Sequence, residues 1–229
     1  MPAAVDVLVC LCAIVVPGIV FGGMFVDAMG GKMSPSVWFG WHPVFMSMAF
    51  PGLMALGRWS YNLDPSWGLG KPVLRQVHRA AMILAILAAL IGYLAIFKSH
   101  YPMRMLFGYD FNHGVWKEWK RVAHSWLGYA AVLLALFQGA TGSLKLMALQ
   151  QHGERTLKFH GKLGKAVIVL GAACMLLAIA FWGLWGTPLK AAIGLPVCMI
   201  GLASVAYSRP EDAAESEESE EVSKLSGVE

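Results

Sequence analysis

The chain has 229 residues, 57% of them hydrophobic and only 14% charged, against roughly a quarter charged in an ordinary soluble domain. That length could hold one or two soluble domains, but the apolar residues stand in long blocks divided by short polar loops, which is the pattern of a polytopic membrane protein. The formal net charge of +4 hides a split, because the carboxylates from Glu211 to Glu229 crowd the end of a chain that is otherwise markedly basic; basic loops suit anionic headgroups and anionic substrates, and no nucleic-acid-binding motif is present.

The first apolar run covers 5–26. It reads as a spanning helix rather than a cleaved signal, since only Asp6 and no Lys or Arg precedes its apolar stretch. Pro17-Gly18 marks a kink within it. The second run covers about 37–56, with Trp38 and Trp41 at the depth where aromatics settle and His42-Pro43 in its first turns. A Gly- and Pro-containing loop leads to a third run over about 76–97, with His78 and Arg79 at its mouth. The loop over 98–120 is the longest, aromatic and basic, and a loop of that length in a compact membrane protein is often functional. The fourth run covers about 121–146, the fifth about 159–185 and the sixth about 188–207.

The expected architecture is therefore all-α: six transmembrane helices over residues 1–208, then an acidic, Glu/Ser-rich tail over 209–229 with little to bury, which is expected to be disordered. Both termini lie on one side. Loops on that side carry more Lys and Arg, Arg58, Lys71, Arg75 and Lys145 among them, so the bias places the termini and the tail in the cytoplasm. Cys10, Cys12, Cys174 and Cys198 all sit in apolar runs, form no Cys-x-x-Cys pair and flank no histidine as covalent haem attachment requires, so they read as small buried hydrophobes.

Four of the apolar runs open on a histidine: His42, His78, His124 and His160. An imidazole in hydrocarbon is costly without a partner or a metal. Consecutive spanning helices run antiparallel, so His42 and His124 share one face of the membrane and His78 and His160 the other. The same 82-residue interval separates the members of both pairs. A haem iron takes one axial imidazole from each side, so the chain offers two ligand pairs, one near each surface, in a four-helix core of helices two to five. With no covalent attachment available, both haems would be b-type. A structural zinc site wants four ligands together, and these split between two faces. Gly128 and Gly164 each follow a histidine in the repeated pattern His-x-x-Leu-Gly; a missing side chain there would let a flat macrocycle lie on the backbone or let two helices pack closely. His100, His113 and His152 fall in loops, where a solvated imidazole is the default.

Trp41-His42-Pro43-Val44-Phe45-Met46, the stretch His124-Ser-Trp-Leu-Gly-Tyr with Phe137-Gln138-Gly139 downstream, and Leu157-Lys158-Phe159-His160 resemble the cytochrome b561 family over about residues 5–207. The resemblance implies an integral, multi-pass oxidoreductase of an endomembrane or the plasma membrane, commonly a homodimer. It would take an electron from cytoplasmic ascorbate and pass it through two haems b to monodehydroascorbate or a ferric chelate. By that likeness, His42 and His124 hold the non-cytoplasmic haem and His78 and His160 the cytoplasmic one. Lys71, Arg75 and Arg79 beside His78, and Arg155 and Lys158 beside His160, are the expected cationic docking residues for ascorbate, though the positive-inside bias alone would also put cations there. Lys98-Ser99-His100 looks like the basic-x-His step at the second substrate. Two other readings stay open: a quinol-linked four-histidine cytochrome b anchor, and a non-redox permease that uses its histidines for protons or metal.

Overall fold

The structure is a computed structural model and describes residues 2–152 and 156–207. The acidic tail over 209–229 and Arg155 lie outside the described residues. Helix α1 spans Pro2–Phe25. Helix α2 (Trp38–Ser47) runs without a break into a π-helical stretch (Met48–Met54) and then α3 (Ala55–Trp59). Pro51 sits inside that stretch, where its missing N–H favours a local change of winding over a regular turn. Helices α4 (Lys71–His100), α5 (Trp119–His152), α6 (His160–Phe181) and α7 (Thr187–Ala206) follow.

Five of these helices are individually long and apolar enough to cross a membrane, and the continuous rod over 38–59 supplies the sixth crossing. This is an integral, multi-pass membrane protein of the all-α class. Helix α2 packs along α4, α5 along α6 and α6 along α7, while α1 closes the bundle against α2, α3 and α7. The inward stripe of α1 is Asp6, Val9, Ala13, Val16, Val20 and Met24, all buried, whereas Leu8, Leu11, Ile14 and Phe21 point outward. Both faces are apolar because one meets protein and the other lipid. In α4 the buried stripe is Ala81, Ala85, Ala88, Ala89, Gly92 and Ala95, small residues that let neighbouring backbones approach.

Several boundaries move from those the sequence suggests. Helix α4 starts at Lys71 rather than near 76, with Gly70 before it and a proline in its first turn, the position where proline costs no hydrogen bond. Helix α5 continues to His152. At about 1.5 Å per residue it is on the order of 50 Å long, so it outruns about 30 Å of hydrocarbon. The long loop is not irregular. It folds into an antiparallel meander of β1 (Met105–Leu106), β2 (Tyr109–Asp110) and β3 (Val115–Trp116). The first turn is Phe107-Gly108, both with positive φ, as a two-residue hairpin loop requires. A Cβ on Gly108 would also stand 2.7 Å from the Val122 Cα. Asp110 holds the meander together: its carboxylate accepts from Lys117 Nζ at 2.8 Å, from His113 Nδ1 at 3.0 Å and from the Asn112 amide at 3.1 Å. The Lys117 ammonium, followed by the His113 contact, keeps that carboxyl well below the usual carboxylate range.

Candidate functional site

The His42 and His124 rings face one another with centroids 6.2 Å apart and planes at 87°. His42 Nδ1 lies 3.0 Å from the Gly92 carbonyl of α4, and His124 Nδ1 lies 3.0 Å from the Cys174 carbonyl of α6. A carbonyl can only accept, so both Nδ1 atoms carry the proton and donate it. Each Nε2 therefore keeps its lone pair, the state of an imidazole ready to bind a metal, held by the backbone bond behind it. Metal–imidazole bonds run about 2 Å and each ring centre lies about 1 Å behind its ligating nitrogen, so two imidazoles on one iron need centroids about 6 Å apart. The residues present fit an axial pair.

On the opposite face, His78 Nδ1 donates to the Gly57 carbonyl of α3 at 2.8 Å. His160 Nδ1 meets the Thr141 hydroxyl of α5 at 3.4 Å, that hydroxyl can donate onward to the Gln138 carbonyl at 3.2 Å, and the Gln138 amide donates to the His160 carbonyl at 2.7 Å. With the Thr141 proton turned toward Gln138, His160 also donates from Nδ1 and keeps Nε2 free. The two histidines do not share matched starts: His160 opens α6, whereas His78 lies two turns inside α4, because α4 begins early. His42 and Gly57 lie on the one rod formed by α2 and α3, fifteen residues apart, so the two sites are on the order of 20 Å apart along it. Among the described residues no three of His, Cys, Asp and Glu gather as a structural zinc site would need.

The Nδ1 bonds fall into a pattern. His42 and His78 each bond to a carbonyl of the other's rod, α4 and α2–α3, while His124 bonds to an α6 carbonyl and His160 meets an α5 hydroxyl. The partners Gly92 and Cys174 repeat the 82-residue offset of the histidines. The fold thus contains two equivalent helical hairpins, and an axial pair would join one to the other. Gly164 clears room for the Gln138 amide, which would stand 2.9 Å from a Cβ there, while Gly128 meets only the Cys174 Sγ at 3.6 Å.

Of the cations expected near His78 and His160, Lys71, Arg75, Arg79 and Lys158 are all exposed. Arg75 alone among them is linked to the pair, through Tyr61, whose ring lies 4.8 Å from His78. Burial pushes the Tyr61 hydroxyl up from its ordinary value, and Arg75 opposes that rise. Arg58 and Lys145 are half-buried and act on His78, and Lys145 acts on His160 as well. In the sequence both count only toward the charge bias of that side. Lys145 carried a signal, since Gln138, Thr141 and Lys145 share one face of α5 at helical spacing.

On the other face, Lys98 and His100 diverge. Residues two apart on a helix point in nearly opposite directions. Lys98 Nζ lies 4.4 Å from the Trp38 ring centre on the outer side of the bundle. His100 turns inward: it packs 5.9 Å from Phe39 and is close enough to His42 to act on it. Its cationic companion is Arg121, whose guanidinium lies 5.3 Å from the Phe181 ring that edges His124 at 5.5 Å.

The sequence model of the eukaryotic cytochrome b561 family matches residues 41–184. The chain is also similar to the plasma membrane ascorbate-dependent reductase CYBRD1 of Mus musculus, 25% identical over 104 residues that make up 45% of this chain and 32% of that protein. The lysosomal membrane ascorbate-dependent ferrireductase CYB561A3 of Mus musculus is 29% identical over 104 residues, 45% of this chain and 38% of that protein. The similarity thus spans about a third of the length of either relative.

Proposed function

The chain belongs to the eukaryotic cytochrome b561 family, and we propose that it carries electrons across a membrane through two b-type haems, from cytoplasmic ascorbate to monodehydroascorbate or a ferric chelate on the far side. The observation that carries this reading is the facing of His42 and His124 at 6.2 Å with both Nδ1 atoms tied to backbone carbonyls. His42 and His124 would hold the non-cytoplasmic haem, and His78 and His160 the cytoplasmic one. When bound, haem supplies the one-electron carrier at each site.

The chain's own residues then ligate, orient and dock. The carbonyls of Gly92, Cys174 and Gly57 and the hydroxyl of Thr141 fix ring tautomer and direction, and their hydrogen bonds raise ligand basicity. At the cytoplasmic mouth, Arg58, Lys145 and Arg75 gather positive charge around His78, which draws in an anion such as ascorbate. At the far mouth, Arg121 does the same for an anionic acceptor. Both termini lie in the cytoplasm in this reading, and the functional unit is a homodimer.

A reduced-minus-oxidised spectrum of the purified chain, titrated with ascorbate, tests the proposal. Two haems per chain, both reducible by ascorbate, are expected. A preparation supplied with ample haem that stays colourless sinks it. Haems reduced by a quinol and never by ascorbate would point to the quinol-linked alternative instead.

A further inference from the structure

The outer side of α2 and α4 carries a groove of about 220 Å³ lined by Trp38, Trp41, Phe45, Ile91 and Ala95. Two helix faces build it. Trp38, Trp41 and Phe45 recur at the spacing i, i+3, i+7 on α2; Ile91 and Ala95 recur at i, i+4 on α4, and Lys98 continues that face one turn further. The lining is apolar, and the Trp41 Nε1–H is committed to the Pro35 carbonyl at 2.8 Å. Over the seven residues from Trp38 to Phe45 the groove descends about 10 Å from the membrane surface. At its upper end Lys98 Nζ sits 4.4 Å from the Trp38 ring centre, and among the described residues no carboxylate pairs with it.

We propose that this groove is a binding site for a membrane phospholipid, with one acyl chain along the Trp38, Trp41 and Phe45 rings and the headgroup phosphate at Lys98. The surface lies on two membrane-crossing helices, so hydrocarbon chains are what it meets. An unpaired ammonium at interface depth complements a phosphate, as basic residues at membrane surfaces do, and the aromatic rings sit where the headgroup level falls. Lys98 is then a lipid ligand, not a docking group for the electron acceptor, in keeping with its divergence from His100. The groove's inner wall is close to the candidate site, because a Cβ on Gly92 would stand 3.2 Å from the Phe45 Cβ.

Native mass spectrometry of the full chain, released from nanodiscs of phosphatidylglycerol or phosphatidylcholine, tests this without reading electron transfer. One retained phospholipid per chain is expected, held better with phosphatidylglycerol. Lys98→Gln should lower retention about fivefold and Lys98→Arg restore it. Trp38→Ser, at an exposed position, should lower retention with either headgroup. Retention indifferent to both Lys98→Gln and Trp38→Ser, no retained lipid at all, or selective retention of a phosphate-free lipid such as a quinone overturns the assignment. Loss in Trp38→Ser with none in Lys98→Gln overturns the phosphate contact.

Discussion

The two histidine pairs use the same residue type with the same sequence offset, yet they are built differently. At His42 and His124 both Nδ1 atoms bond to backbone carbonyls at 3.0 Å, with the Cys174 Sγ also 3.3 Å from the His124 Nδ1, and the ring centroids stand 6.2 Å apart. At His78 and His160 one bond goes to a carbonyl at 2.8 Å and the other to a side-chain hydroxyl at 3.4 Å, with Tyr61 lying against His78. A helix carbonyl cannot be removed by substitution and moves only with its helix. A threonine hydroxyl can be removed and can rotate. Backbone carbonyls thus hold both rings of the His42–His124 pair, whereas the His78–His160 pair depends in part on a side-chain hydroxyl. The second is also the one beside two half-buried cations, Arg58 and Lys145.

The comparison can be broken most directly at the ligands. His42→Ala and His78→Ala should each halve the haem content, read by absorbance against protein concentration; an unchanged content after either would refute the assignment of that ring. Thr141→Val removes the side-chain hydroxyl that meets the His160 Nδ1. Loss of such a support typically weakens metal binding about 10–100-fold, so the cytoplasmic haem should dissociate more readily into a haem-scavenging apoprotein while the other is retained. Equal loss from both sites would remove the asymmetry.

Smaller effects sharpen the electrostatic half. Lys145→Gln should raise KM for ascorbate by about threefold, with a steeper penalty in low salt than in high, since screening already weakens the attraction in the parent protein. Arg79→Gln, at an exposed position with no link to His78, should change it by far less. A reversed order would return the docking role to the surface arginines. On the far side, Gly108→Ala forces a side chain into left-handed backbone and against Val122, at a cost of about 1–2 kcal/mol for the backbone alone. Protease sensitivity of the meander should rise while haem content holds.

The six crossings were legible in the sequence, because an apolar run is a property of residue type. The groups that orient the four histidine rings were not. Gly57, Gly92 and Cys174 contribute a backbone carbonyl, which every residue has, so nothing in their side chains announces the role. The divergence of Lys98 and His100 was not legible either, because neighbours in sequence are not neighbours on a helix face. The early start of α4 had a signal in Pro72, outweighed by the basic residues around it. The meander did not, since strands of two residues carry no alternation to read and its turn relies on Phe107 adopting positive φ.

The measurement that bears most directly on the pairing is the haem content of double variants. If His42 and His124 serve one iron, His42→Ala with His124→Ala should retain one haem per chain, the same as either single change. The cross-pair combination His42→Ala with His160→Ala should retain none. One haem left in the cross-pair protein, or none in the same-pair protein, would contradict the account.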